Sequence, residues 1–289
     1  MIRSIVVPLD GSRFAETALP RARQLAVSAR AELHLTLIHQ PTTTGRREAE
    51  RYLADLVARI APNREPVTDF SIRDGDPVES LVSGIRQAAA ELVVMATHGR
   101  GSIAPLALTS IAEGLIRTSP APLLLVQPRG DHLEPSVRAH SLLAPVDLDR
   151  DLESVIAALA DFACLTQAHV TLLHVVTPVT LPRGTAQKRL DRLADELRAR
   201  GIRAAARVVG GTDIAATIIA ELAHGPADLL AVAPRRAEVS GWSPADGITE
   251  SLLRNATKPV LILSSSIHKA RCMPSHEEMA SVSYSSPER

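Results

Sequence analysis

The chain has 289 residues, 45% of them apolar and 2% aromatic, and its 32 Lys and Arg balance 32 Asp and Glu. Zero net charge excludes a broad electrostatic attraction to nucleic acid or to an anionic membrane. So few aromatic residues exclude a stacking platform for single-stranded nucleic acid.

The length allows two domains of ordinary size. No apolar run approaches the ~18–20 residues of a membrane span. The start, "MIRSIVVPLDGS", is interrupted by Pro8 and Asp10, too early and too polar for a signal peptide. The two cysteines, Cys164 and Cys272, have no metal-ligand spacing and cannot build a disulfide framework. A reducing, cytoplasmic compartment is expected.

In chain order, residues 3–9 are an apolar, β-branched run and predict a strand. Residues 13–29 predict a helix, with Phe14, Ala18, Leu19, Ala22, Leu25 and Ala26 on one stripe. Pro20 lies inside it, removes one helical hydrogen bond and predicts a kink. Leu33 to His39 reads as a second strand. Arg46 to Ile60 reads as an amphipathic helix with Tyr52, Leu53, Leu56, Val57 and Ile60 on its apolar side. A strand at 67–72, a helix at 78–90 and a fully apolar strand at 92–96 follow. After the glycine-containing loop "THGRGSIAPLALT", a helix at 110–118 and a strand at 123–127 complete the series.

The series then repeats. "SIVVPLDGS" at 4–12 matches "SLLAPVDLD" at 141–149, and "IAEGLIRTSPAPLLLV" at 111–126 matches "ITESLLRNATKPVLIL" at 248–263, both displaced by 137 residues. "ELVVMA" at 91–96 matches "DLLAVA" at 228–233 at the same displacement. A constant displacement over several motifs predicts a duplicated domain. Short apolar strands alternating with helices predict parallel pairing with helices on both faces. The expected organisation is two doubly wound α/β domains, at 1–128 and 139–264. A linker joins them at 129–138, and a disordered tail, rich in Ser and charge, occupies 265–289.

In open α/β sheets, ligands bind beyond the carboxyl ends of the strands, where strand order reverses. Asp10 ends the first strand and the glycine loop ends the fourth, so parallel pairing puts both at one edge. A carboxylate there suits ribose hydroxyls or an adenine amine. Backbone N–H groups near Gly99 and Gly101 suit phosphate oxygens. Ser110 opens a helix, whose first N–H groups form a second anion-binding element, and Arg100 adds charge. Simpler roles compete: a plain turn at the glycines, and helix caps at Asp10, Ser12 or Ser110. His98 has no carboxylate or nucleophile tied to it by spacing. His39 and His174 recur at strand ends in both halves, which points to packing or capping.

"GRGSIA" matches G-x-G-x-x-A but follows a fourth strand rather than a first. A phosphate-loop lysine motif is missing, as are a metal cluster and a nucleophile–base pair. At most a slow ATPase is expected, with no catalytic residue assigned.

"VVPLDGS", "LTLIH", "GDPVESL" and "ELVVMATHGRGSIAPLALTSIAEGLIRTSPAPLLLV" together resemble the universal stress protein family in its tandem, two-domain form, over about residues 1–264. The resemblance implies a five-stranded parallel sheet of order 3-2-1-4-5, as in adenine nucleotide alpha hydrolase-like folds. Many members bind ATP with magnesium and others do not, through a pattern G-x2-G-x9-G-[ST] followed by an apolar residue. Carried over, Pro8, Leu9 and Asp10 take the base and ribose positions. Gly99 is the middle glycine, and Ser110 and Ile111 close the pattern. Ala96 and Thr109 stand where the outer glycines belong, and Gln40 replaces an apolar residue after the second strand. In the second half, Arg236, Asp246 and Gly247 stand at the positions of Gly99, Thr109 and Ser110, so that copy reads as degenerate. Two functions stay open: an ATP-binding stress-response protein, and a nucleotide-free interaction module. The fifth strands, "PLLLV" and "PVLIL", are apolar edges expected to pair the two domains as an internal pseudo-dimer. A homodimer of whole chains stays open as well.

Overall fold

The computed structural model describes residues 2–38, 45–63, 65–97, 110–126, 141–149, 152–178, 182–233 and 247–263, and for Ser110 and Leu165 the backbone only. The first half contains β1 (Ser4–Leu9), α1 (Arg13–Glu16), α2 (Leu19–Ala29), β2 (Glu32–Ile38), α3 (Arg46–Ile60) and β3 (Thr68–Arg73). It continues with α4 (Pro77–Gln87), β4 (Leu92–Ala96), α5 (Ser110–Thr118) and β5 (Leu123–Val126). The second half contains β6 (Ser141–Pro145), α6 (Glu153–Thr166), β7 (His169–Val176), α7 (Arg183–Ala199) and β8 (Ala204–Gly210). It ends with α8 (Ile214–His224), β9 (Leu229–Val232), α9 (Ile248–Asn255) and β10 (Val260–Ile262).

All ten strands lie in one sheet, in the order β3-β2-β1-β4-β5-β10-β9-β6-β7-β8. Each half has the order 3-2-1-4-5 when its strands are numbered within it, and its pairs are parallel. The two expected sheets are therefore continuous. They join where β5 and β10 pair antiparallel, with Leu123, Leu124 and Leu125 opposite Ile262, Leu261 and Val260. Both strands are apolar edges whose free N–H and C=O groups need partners, and each satisfies the other.

The period-two alternation of the strands feeds two helix layers. Ile5, Val7 and Leu9 face the layer of α2, α3, α6 and α7, with Leu25, Leu53, Leu159 and Leu190. Val6, Val93 and Met95 face the layer of α4, α5, α8 and α9, with Leu81, Leu115, Ile218 and Leu252. The inner strands β1, β4, β9 and β10 are buried on both sides, while the edge strand β3 has no buried residue.

Several boundaries differ from the sequence reading for local reasons. The helix expected over 13–29 is two helices, interrupted after Glu16. Pro20 sits in the first turn of α2, where its missing N–H costs no hydrogen bond, so it starts a helix rather than kinking one. The helix expected from 78 begins at Pro77, because the Asp76 carboxylate caps the N–H groups of Val78 (3.0 Å) and Glu79 (2.9 Å). Asp213 caps α8 at the repeated position, accepting from Ala216 (3.0 Å). The third strand runs one residue later than expected, to Arg73.

Cys164 lies on α6, and Cys272 lies outside the described residues. Among the described residues, no helix is long and apolar enough to cross a membrane. The expected linker, the expected tail, His39 and His98 lie outside the described residues.

Candidate functional site

Strand order reverses between β1 and β4, since α2 and α3 cover one face and α4 and α5 the other. The ladder between these two strands holds only two pairs, Ile5 with Leu92 and Val6 with Val93. By contrast β1 pairs with β2 over six residues, from Ser4–Glu32 to Leu9–Leu37. Ladder pairing between β1 and β4 therefore stops before their carboxyl ends, at the switch point where such sheets hold ligands. The same occurs between β6 and β9, with pairs only at Leu142–Leu229 and Leu143–Leu230.

Asp10 stands immediately after β1 and is exposed. Its Oδ1 accepts the Ser12 N–H at 2.9 Å. Ser12 in turn caps α1, its hydroxyl accepting from Ala15 N–H at 3.1 Å. Gly11 between them has φ +83°, a conformation that suits glycine. Ser12, not Asp10, is thus the helix cap, and Asp10 forms the turn that leads into it. Among the described residues, Asp10 makes no other hydrogen bond. After β4, Thr97 is buried and its N–H extends the ladder to Val126 O at 2.9 Å.

The other expected site residues divide into three groups. Pro8 is half-buried, and Leu9 points into the core at 2% exposure, so Leu9 offers a ligand only its backbone. Ala96 is half-buried against the first core cluster. Ile111, expected beside the ligand, is half-buried and packs against the second core cluster. The backbone of Ser110 opens α5. Gln40, Gly99, Arg100, Gly101 and Thr109 lie outside the described residues.

The second half keeps the turn. Asp147 follows β6 as Asp10 follows β1, and its Oδ1 accepts Asp149 N–H at 3.1 Å. His174 is buried, and its Nδ1 lies 2.9 Å from Val146 O. A carbonyl only accepts, so Nδ1 carries the proton and holds the end of β6 to β7. That is the capping role expected for it. Its Nε2 is buried without a hydrogen-bond partner among the described residues.

A polar network beside Asp10 escaped the sequence reading. Tyr52, placed there on an apolar stripe, donates its hydroxyl to Glu16 Oε1 at 3.1 Å. Arg59 Nη2 donates to Glu16 Oε2 at 2.6 Å. Loss of solvation pushes the Tyr52 hydroxyl's pKa up; the charge of Glu16 and its hydrogen bond add to this, as does the charge of Asp10, while Arg59 opposes. Such contacts join residues 36 and 43 positions apart and have no periodic signature. The one available signal was the hydroxyl on an otherwise apolar stripe, since a half-buried tyrosine oxygen needs a partner.

Among the described residues, no group of three or more His, Cys, Asp or Glu is placed to hold a metal. The described groups at this edge are the Asp10 carboxylate and the backbone at the start of α5.

Comparison with known proteins agrees with this fold. Residues 1–127 match the model of the Universal stress protein family. A curated Thermus aquaticus protein, "Universal stress protein in QAH/OAS sulfhydrylase 3'region", is 27% identical over 140 residues, which is 44% of this chain and all of that protein. A solved universal stress protein from Archaeoglobus fulgidus DSM 4304 superposes with TM-score 0.70 at 18% identity, covering 91% of this chain and 98% of its own. A putative universal stress protein from Pseudomonas aeruginosa UCBPP-PA14 superposes with TM-score 0.62 at 20% identity, covering 91% and 93%.

Proposed function

We propose, on the premise that this chain belongs to the universal stress protein family through residues 1–127, that the carboxyl ends of β1 and β4 bind an adenine nucleotide. The observation that carries this is the early end of ladder pairing between β1 and β4, with the exposed Asp10 immediately after β1. Asp10 is given the ribose hydroxyls or the adenine amine. The first N–H groups of α5 are given phosphate, with Gly99, Gly101 and Arg100 assigned to the same end from the family pattern. The ligand is ATP, and magnesium arrives on its phosphates.

The wider reading is a cytoplasmic stress-response protein of tandem form, with domains at 1–128 and 139–264. The second domain is a degenerate copy whose part is to dock on the first. No turnover beyond that of a slow ATPase is assigned. Calorimetry of the full chain with ATP and magnesium tests the site: binding is expected, and Asp10→Ala should weaken it at least 10-fold. An undiminished affinity in that variant would remove Asp10 from the site.

A second reading, a nucleotide-free interaction module, is favoured by Ala96 and Thr109 at positions where the family pattern has glycine. It predicts no binding by the native chain and binding by the double variant Ala96→Gly, Thr109→Gly.

A further inference from the structure

We propose that Tyr52 is a positioning residue that clamps the Asp10 loop to α3 through Glu16; the clamp's bearing on ligand affinity rests on the nucleotide reading above.

The contacts form one continuous chain. Tyr52 Oη donates to Glu16 Oε1 (3.1 Å), and Glu16 N–H donates to Ser12 O (3.3 Å). Ser12 N–H donates to Asp10 Oδ1 (2.9 Å). Arg59 holds the second oxygen of Glu16 at 2.6 Å, which fixes the carboxylate from two sides. The clamp is needed because α1 has four residues, none of them buried. A single turn of helix without a buried face has little of its own to hold it in place.

The second half provides an independent observation. Arg189 on α7 occupies the repeated position of Tyr52, and Leu148 that of Gly11, each 137 residues later. Arg189 Nη2 donates to the Leu148 carbonyl. Two side chains of different chemistry, at one repeated helical position, therefore reach the segment that follows the first strand of each half, Tyr52 at Glu16 of α1 and Arg189 at the Leu148 carbonyl. A chance stitch between helices would not recur with the chemistry changed. Position 52 is the point from which the third helix can hold that segment.

The test is hydrogen exchange of the full chain, with ATP calorimetry, on the native protein, Tyr52→Phe and Glu16→Gln. Tyr52→Phe removes one hydroxyl and keeps the ring, so the fold survives. Exchange should rise at residues 11–18 and stay unchanged in β7 and β8, and ATP affinity should fall about 3- to 10-fold, as loss of one positioning hydrogen bond allows. Glu16→Gln keeps an acceptor for the Tyr52 hydroxyl and should retain most of the slow exchange. Native exchange at 11–18 in Tyr52→Phe would overturn the clamp. So would a rise spread evenly over the chain, which marks a merely structural role. If the native chain binds no ATP, the nucleotide reading fails by itself and the exchange pattern still decides the clamp. If exchange rises at 11–18 while affinity holds, the positioning role is lost.

Discussion

The two halves share a strand order and a repeat displacement, yet they differ at the edge where a ligand would sit. Both keep the short ladder at the switch point and the turn made by Asp10 or Asp147. Both cap the helix after the third strand with an aspartate, Asp76 or Asp213. At one repeated helical position, a tyrosine bonds the Glu16 carboxylate of α1 in one half and an arginine bonds the Leu148 carbonyl in the other. Core burial and capping tolerate few alternatives, so they persist. Edge contacts can be satisfied by several chemistries, so they drift.

The seam between the halves carries a further asymmetry. Arg21 on α2 is 7% exposed, and its Nε and Nη2 have no hydrogen-bond partner among the described residues. Its Nη1 donates to Gln24 at 3.2 Å. Loss of solvation lowers its pKa, and the charge of Asp228 in the second half opposes this. The repeated position of Arg21 is Ala158, which carries no charge.

The largest expected effect tests whether the halves are energetically one body. Leu124 is fully buried and pairs with Leu261 across the seam. Leu124→Ala should cost about 2–5 kcal/mol in denaturant unfolding, and the two halves should lose exchange protection together. Loss of protection in the first half alone would separate them.

A smaller effect distinguishes the helices that follow the glycine loops. A Cβ at Gly114 would lie 2.5 Å from Val78 Cγ2. Gly114→Ala should therefore destabilise by about 1–3 kcal/mol through overpacking. Its counterpart, Ser251, already carries a side chain whose hydroxyl accepts from Asn255, so Ser251→Ala should stay within about 1 kcal/mol. Equal costs would mean that α4 and α5 pack no closer than α8 and α9.

Arg21→Met is expected to leave the melting temperature unchanged or raise it, because it removes a buried charge with unpartnered N–H groups. A loss of about 3–5 kcal/mol, the cost of breaking a satisfied buried ion pair, would show that Arg21 and Asp228 act as one.

The smallest effect is on pH dependence. The Tyr52 hydroxyl has a raised pKa in the fold, so the unfolded chain loses that proton first. The contribution is fully present below the ordinary tyrosine value of about 10 and is lost as pH rises above it. Denaturant titrations from pH 8 to 11 should show a decline that is shallower in Tyr52→Phe. Identical slopes would contradict the burial of that hydroxyl.

Much of the fold was legible because burial leaves periodic marks. Arg46–Ile60, Leu92–Ala96 and Ser110–Thr118 begin and end where the apolar pattern does. The repeat made the second half readable from the first. The break between α1 and α2 was not legible, since the stripe from Phe14 to Ala26 continues through it while the backbone does not. The joining of two sheets was expected as docking, but its antiparallel register at Leu124 and Leu261 has no signal along the chain. At the candidate site, Asp10 was legible from its place after a strand. Tyr52, Glu16 and Arg21 were not, because their roles depend on which elements the fold brings together.

The central claim is that one half binds nucleotide and the other does not. Native mass spectrometry of the full chain titrated with ATP and magnesium counts the bound molecules directly. The account predicts one ATP per chain, lost in Asp10→Ala and kept in Asp147→Ala. No bound ATP, or two per chain, would contradict it.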